Sequence, residues 1–397
     1  MNLFCSKIKE MENITIIEPC NFVDYPTGGQ LAFVRNVIQS FHGELTLVGV
    51  STDGDKIGVW TEKEINGRKY KFFPFMSGKR EKNKPLIPMR IQAYKNLHRY
   101  RKEILDKCGK IIVIQAPEVL LALRNRLSDK EICFIFAGTE NPLKISRYFY
   151  AKAFAGIYDR FFLSAVSTSK WILAAADNNA INELQLRGNK LKNRTIIQFP
   201  TRIDESIFFK NTEINYRKVF NIPDDKLVVV TCGRLGYYKG WKLMIDAFKL
   251  FLAKYPDSIF YFIGDGEDQG KIVQYIQSND LEGKIELLGF LMSTEIARYL
   301  NLADIFVMGS FKEGWSTTLL EASCVGVPSV VTNFSSSKEI ISDGVNGYVA
   351  ESRDPKEFSE KMIQALQIDR NLLPEPRMER FKIKTLKKDL LDIVLEN

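Results

Sequence analysis

Two carboxylates stand eight residues apart in an otherwise apolar stretch, Glu313-Gly-Trp-Ser-Thr-Thr-Leu-Leu-Glu321. A strand pattern, DIFVMG, ends at Gly309 and a helical pattern begins near Trp315–Ser316, so Glu313 falls in the loop between them. The first amides of that helix, from Ser316, Thr317 and Thr318, are expected as unpaired donors carrying the positive end of the helix dipole. Glu321 lies about five residues further on, roughly 7.5 Å along the axis. Carboxylates accept hydrogen bonds from sugar hydroxyls, and helix-start amides suit phosphate. Hexose, diphosphate and ribose occur in that order in a nucleotide-sugar. Taken alone, one helix-start glutamate and one solvated glutamate satisfy the same spacing.

Three more strand-to-helix loops carry unusual residues. Tyr25-Pro-Thr-Gly-Gly-Gln30 follows the first strand, and the pair Gly28 and Gly29 lets a backbone approach a ligand with no Cβ in the way. By itself such a pair is equally a simple turn. Gly233-Arg-Leu-Gly-Tyr-Tyr-Lys-Gly240 follows LVVVTC and sets Arg234 and Lys239 at the mouth of a sheet, where two cations suit a diphosphate. Two surface cations would read the same. Gly264-Asp-Gly-Glu-Asp-Gln-Gly270 has the wrong glycine spacing for a dinucleotide fingerprint, and its acidic residues would repel a pyrophosphate. It reads as a tight turn.

The elements that must hold these loops alternate along the whole chain. Strands are expected at 13–19, 44–50, 70–75, 111–116, 132–137, 163–167 and 195–200, then at 227–233, 258–264, 285–289, 304–309, 329–333 and 347–350. Continuous apolar strands separated by helices indicate parallel sheets covered on both faces. A chain of 397 residues is long for one core, so two doubly wound α/β domains are expected. The break is placed in the polar stretch near 204–216, giving domains 1–208 and 209–376. Pro374 and Pro376 isolate a final helical segment, 377–397, expected to pack back on the first domain. Ligands of such sheets bind at the carboxyl ends of the strands.

The sequence resembles the retaining nucleotide-sugar glycosyltransferases of GT-B fold, specifically family 4 with its E-x7-E motif. The match runs in order through GRLGYYKG, FIGDGE, LLGFLMSTEIARYLNLADIFVMGS, EGWSTTLLEASCVGVPSVVT and EIISDGVNGYVA, over about 230–350. It is fainter in the first half, through Gly28-Gly29, AVSTSKWI and FPTRIDESIF. The resemblance implies two Rossmann-like domains facing across a cleft, with acceptor on the first and donor on the second. It implies that Glu321 holds the ribose hydroxyls and Glu313 the donor hexose. Arg234 and Lys239 would neutralise the departing diphosphate without a metal, and Gly29 would let amides reach the donor. Gly28, Gly233, Gly314, Trp315, Ser316 and Thr317 complete the donor-binding set. There are departures. The strand ends IIVIQAPE and ICFIFAGTENP carry Gln115 and Glu140 where the family often has a histidine. Thr201-Arg202 replaces the usual asparagine-glycine, and Ser316 a frequent glycine. Glu140 could accept the acceptor's proton or cap a turn.

Composition sets outer bounds. Hydrophobic residues make up 45% and charged residues 26%, as in a globular chain. Lys7, Lys9, Glu10 and Glu12 stand where a signal peptide needs an apolar stretch, so a cytoplasmic protein is expected. Six cysteines without a C-x-x-C pair read as packed thiols, and two histidines leave little room for a zinc site. Asp53-Gly-Asp55 is the pattern by which single-domain GT-A transferases hold a metal, and it is equally an ordinary turn. No cofactor is expected. The net charge is +8, and nine basic residues against Glu81 alone put a local +8 between Lys79 and Lys102. That block fits a solvated face or an anionic partner, an inner membrane surface met through Lys79, Arg80, Lys82 and Lys84. A second segment, 144–162, mixes aromatics with Lys144, Arg147 and Lys152 and is expected to be a helix packed on the sheet. The partners expected are a nucleotide-sugar and a glycan or lipid-linked acceptor in cell-surface polysaccharide synthesis. An epimerase or hydrolase of the same fold is the alternative enzyme. A phosphorylase would need a pyridoxal phosphate lysine motif that is not seen. A nucleic-acid binder would need stacking motifs among the charges, which the block lacks.

Overall fold

The computed structural model describes residues 14–26, 29–78, 88–124, 129–139, 141, 143–144 and 152–395. The chain divides into two compact units, Met1–Pro200 joined by Ile383–Asn397, and Thr201–Lys382.

The first unit is built on an eight-stranded sheet among the described residues, ordered β3-β4-β2-β1-β5-β6-β7-β8. Its strands are β1 (Ile14–Ile17), β2 (Thr46–Ser51), β3 (Thr61–Ile65), β4 (Arg68–Ser77), β5 (Ile111–Ile114), β6 (Glu131–Phe136), β7 (Trp171–Ala174) and β8 (Ile197–Gln198). All pairs are parallel except β3 with β4. The register Ile16↔Leu47 and Thr15↔Ile112 places β1 at the centre, fully buried. Helices cover both faces. One carries the helix Gly29–Phe41 and the final helix Ile383–Leu395, whose Leu386, Leu390 and Val394 join the core with Phe41 and Phe72. The other carries Ala93, Leu97, Leu120 and Phe162.

Two expectations fail in this unit. Residues 163–167 end the helix Ala155–Val166, and the strand is Trp171–Ala174, which follows them. LSAVS is short and apolar, but it continues a helical burial pattern through Ala155, Asp159 and Phe162. The antiparallel edge strand β3 was not expected, because its sequence TEKEI is mostly exposed and charged. In the helix Ala155–Val166, Phe162 packs inward and half-buried Tyr158 packs against the same core, as expected of that segment, while Ile157 and Phe161 are exposed.

The second unit carries a parallel six-stranded sheet, ordered β11-β10-β9-β12-β13-β14. Here β9 is Leu227–Cys232, β10 Ser258–Ile263, β11 Ile285–Gly289, β12 Ile305–Met308, β13 Ser329–Thr332 and β14 Gly347–Ala350. Phe248, Phe251, Phe260, Phe262 and Phe358 fill one face. The boundary between units lies at Pro200, ahead of the expected 208. The amide of Ile203 bonds the carbonyl of Phe381, which draws both 201–208 and the turn Pro376–Phe381 into the second unit. The returning segment therefore begins at Ile383 rather than 377.

Candidate functional site

In the second sheet, β10 and β11 extend to one side of β9, while the chain resumes at β12 on the other. The crevice beyond the carboxyl ends of β9 and β12 is thus the switch point of this sheet, where open parallel sheets bind ligands. Both loops there are the ones richest in chemistry. After β9 the chain runs through Gly233 and a turn, Tyr237–Lys239, to Gly240, which opens the helix Trp241–Leu252. Gly240 has φ +68°, and a Cβ there would stand 1.7 Å from the carbonyl oxygen of Gly309. Only glycine allows the two loops to touch so closely.

The loop after β12 is tied down on several sides. Arg353 donates from Nη2 to the carbonyl of Gly309 (2.8 Å) and from Nη1 to that of Ser310 (3.2 Å). Thr332 Oγ1 donates to the same Ser310 carbonyl at 2.6 Å. Thus held, Glu313 Oε1 accepts from Lys239 Nζ and from Ser310 Oγ, each at 2.6 Å. Residues 74 apart in sequence form one ion pair. Cys232, Gly233, Arg234, Lys239 and Ser310, with Leu235, Met244 and Met308, line a narrow recess of about 20 Å³. Arg234 reaches Glu267 at 2.9 Å with both side chains largely exposed, a pairing weak enough to exchange for an anion.

The helix Thr317–Val325 is capped by Ser316, whose Oγ accepts the amide of Leu319 at 3.3 Å. The serine that replaces a glycine thus serves as a cap. The expected three free amides reduce to two. That of Ser316 donates to Ser336 Oγ at 3.4 Å, while those of Thr317 and Thr318 have no acceptor among the described residues. Trp315 is buried with its ring 5.9 Å from that of Phe381, so it contributes its place in the chain rather than an open ring. Gly314 is half-buried. Desolvation pushes the partly buried Glu321 carboxyl up to about 8, which favours its protonated form, able to donate as well as accept. When ionised it would raise the thiol of Cys232, so the two side chains lie close together.

In the first unit Gly29 is the first residue of the helix Gly29–Phe41, and Gly28 lies outside the described residues. So do Glu140 and Lys79, Arg80, Lys82 and Lys84. The pair Asp53 and Asp55 is held by Lys63 Nζ, at 2.9 and 2.6 Å, so an ammonium stands where the alternative reading put a metal. Among the described residues no group of three histidine, cysteine, aspartate or glutamate side chains is placed to hold a metal ion.

Sequence reasoning missed Arg353, Thr332, Glu267 and Glu18. Arg353 lies beyond β14 in no recognisable pattern, and only the fold brings it to Gly309. Glu267 was dismissed with its loop, yet that loop packs so tightly on the first that a Cβ at Gly266 would stand 2.2 Å from the carbonyl of Leu235. Glu18 is buried at the end of β1, where it accepts the amides of Gln115 and Ala116 at the switch point of the first sheet, and burial raises its carboxyl to about 8. An acidic residue closing an apolar strand was the available signal.

The chain is similar to several known proteins. Residues 212–385 match the family described as "Glycosyl transferases group 1". That segment covers almost all of the second unit. An O-antigen biosynthesis glycosyltransferase, WclY of Escherichia coli, is 32% identical over 33% of this chain and 35% of its own length. An amylovoran biosynthesis glycosyltransferase, AmsK of Erwinia amylovora, is 29% identical over 40% of each. The N-acetyl-alpha-D-glucosaminyl L-malate synthase of Bacillus anthracis is 26% identical over 49% of this chain and 50% of its own. The alignments thus span about a third to a half of these relatives' length. Among solved structures, a sucrose-phosphate synthase from Thermosynechococcus elongatus superposes with TM-score 0.74 at 14% identity, over 96% of this chain and 99% of that one. HepE of Anabaena, in complex with UDP and glucose, does so with TM-score 0.68 at 14% identity, over 96% and 99%. The fold is GT-B, an α/β architecture of two Rossmann-like domains, and the segment 212–385 resembles the group 1 glycosyl transferases.

Proposed function

We propose that the protein is a retaining glycosyltransferase that moves a hexosyl group from a nucleoside-diphosphate sugar to a glycan or lipid-linked acceptor. The contact that carries this reading is the ion pair of Lys239 with Glu313, set at the switch point beside two free helix amides. In the reaction the bond from the anomeric carbon to the diphosphate breaks, and its electron pair leaves with the diphosphate. The acceptor hydroxyl bonds the same carbon on the same face and passes its proton to an oxygen of the departing diphosphate. Lys239, Arg234 and the amides of Thr317 and Thr318 stabilise the charge on the leaving group, with no metal needed. Glu313, steadied by Ser310, orients the hexose hydroxyls. Glu321 holds the ribose.

The relatives named for O-antigen and amylovoran biosynthesis favour a role in cell-surface polysaccharide synthesis. The protein then works in the cytoplasm, on the inner membrane face where its basic block meets anionic lipid.

Thermal-shift titration with UDP, GDP, ADP and their common sugars tests the donor assignment, since a ligand at 100 times its dissociation constant adds about 2.7 kcal/mol. Glu321→Ala removes two hydrogen bonds of about 1 kcal/mol each and should weaken the preferred nucleotide about thirtyfold. Unchanged nucleotide affinity in that variant would remove Glu321 from the site.

A further inference from the structure

Two exposed aromatic side chains of the second unit stand beside the candidate site in the chain. Tyr237 is 63% exposed and Phe311 40% exposed. Tyr237 stands two residues before Lys239 and Phe311 two before Glu313, the pair that meets at 2.6 Å. Their rings stack, with centroids 4.9 Å apart and planes inclined by 23°. The backbone fixes this contact, because the amide of Phe311 donates to the carbonyl of Tyr238 at 2.9 Å. Arg353 lies over the Phe311 ring at 3.5 Å from its centroid while it bonds the carbonyls of Gly309 and Ser310. The Phe311 ring is thus stacked on Tyr237 and overlain by Arg353, and the largely exposed Tyr237 ring is the aromatic surface left open, two residues from Lys239.

We propose that Tyr237, backed by Phe311, forms a platform on which the apolar face of a pyranose ring stacks, with the ring's hydroxyl edge turned to Glu313 and Lys239. The inference rests on the glycosyltransferase reading above and adds to it a residue pair that selects the sugar. A pyranose presents axial C–H groups on its faces and hydroxyls around its rim. An aromatic face beside a carboxylate and an ammonium matches both surfaces at once. A flat nucleobase would also stack, but the ribose end of the site lies at Glu321, eight residues beyond Glu313 and behind the helix start. The platform sits at the sugar end. The stacked ring belongs either to the donor or to the acceptor, and the two sources separate experimentally.

The wild type, Tyr237→Ala and Tyr237→Phe are titrated by calorimetry with UDP and with whichever of UDP-glucose, UDP-galactose and GDP-mannose raises the melting temperature most, with GDP replacing UDP if GDP-mannose is chosen. Saturation-transfer NMR with methyl α-glucoside and methyl α-galactoside, with and without the nucleotide, reads an acceptor ring. Tyr237→Ala should keep the free nucleotide's affinity within about twofold. It should lose about tenfold in nucleotide-sugar affinity if the donor ring stacks, or lose transfer to the glycosides if the acceptor ring does. Tyr237→Phe should restore either one. Phe311→Ala should follow Tyr237→Ala. Nucleotide-sugar affinity and glycoside transfer that both survive Tyr237→Ala would overturn the platform, as would an equal loss of affinity for the free nucleotide. A wild type that binds no nucleotide removes the transferase reading instead. The glycoside measurement without nucleotide then decides the platform alone, and absent transfer there overturns it.

Discussion

At the scale of single residues, the site turns on which charges are already paired. Lys239 is held by Glu313, and that carboxylate also takes Ser310 Oγ, so the ammonium is positioned before any ligand arrives. Pre-placed charge is what a departing diphosphate needs, because nothing must reorganise as it forms. Arg234, by contrast, leans on Glu267 through an exposed contact and must exchange partners. Lys239→Ala should lower turnover on the order of 100-fold, and Arg234→Ala should lower it less. Steady-state kinetics with the preferred nucleotide-sugar measures both. The same assays run with chelator should be unaffected. Complete loss with chelator and rescue by manganese would return attention to Asp53 and Asp55, although Lys63 holds both.

Among the elements, the decisive ones are two strand-to-helix loops that could not approach each other without glycine. Gly240 touches Gly309, and Arg353 bonds that same carbonyl at 2.8 Å. A methyl group at Gly240 meets backbone, which cannot step aside, and the φ of +68° adds strain of its own. Gly240→Ala should therefore separate Lys239 from Glu313 and cost several kcal/mol of stability in the second unit. Denaturant unfolding should show the loss, and nucleotide affinity should fall with it. Gly283→Ala makes a fair control, since its φ is +73° but a Cβ there meets nothing within 4 Å. If the two variants lose equal stability, backbone strain alone accounts for the effect and the contact with Gly309 does not.

Across the whole molecule, the excess of positive charge is the feature that the donor site does not account for. The net +8 is matched by the block from Lys79 to Lys102 in the first unit, far along the chain from every donor residue of the second. Among its described residues, Ile91 and Tyr94 are exposed on the helix Met89–Arg99 beside Lys95 and His98. No described helix is long and apolar enough to cross a membrane. Any attachment through this block would be electrostatic and interfacial, worth about 1 kcal/mol per basic residue near an anionic leaflet. The purified protein should co-sediment with vesicles containing anionic lipid, be released by high salt and ignore neutral vesicles. Replacing Lys79, Arg80, Lys82 and Lys84 by Gln should abolish sedimentation and leave nucleotide affinity unchanged. Equal partitioning to both kinds of vesicle, or to neither, would make a soluble acceptor the better reading.

By itself the sequence determined the fold class and the loops in which its candidate donor residues stand. Its apolar strands are buried on both faces and so read as uninterrupted runs, and its motifs sit in the loops after those strands. Glu313 and Glu321 were legible because one turn and one helix start set their separation locally. The strand at Trp171–Ala174 was not, since four buried residues carry too little pattern to compete with the helix just before them. Only the tertiary structure decided the rest. The partnership of Lys239 with Glu313, the clamp from Arg353 and the raised titration of Glu321 each depend on distance through space or exclusion of water, which spacing along a chain does not encode. The return of Ile383–Leu395 to the first unit was the intermediate case. Its apolar period announced a helix with a face to bury, and the sheet that waited uncovered decided where.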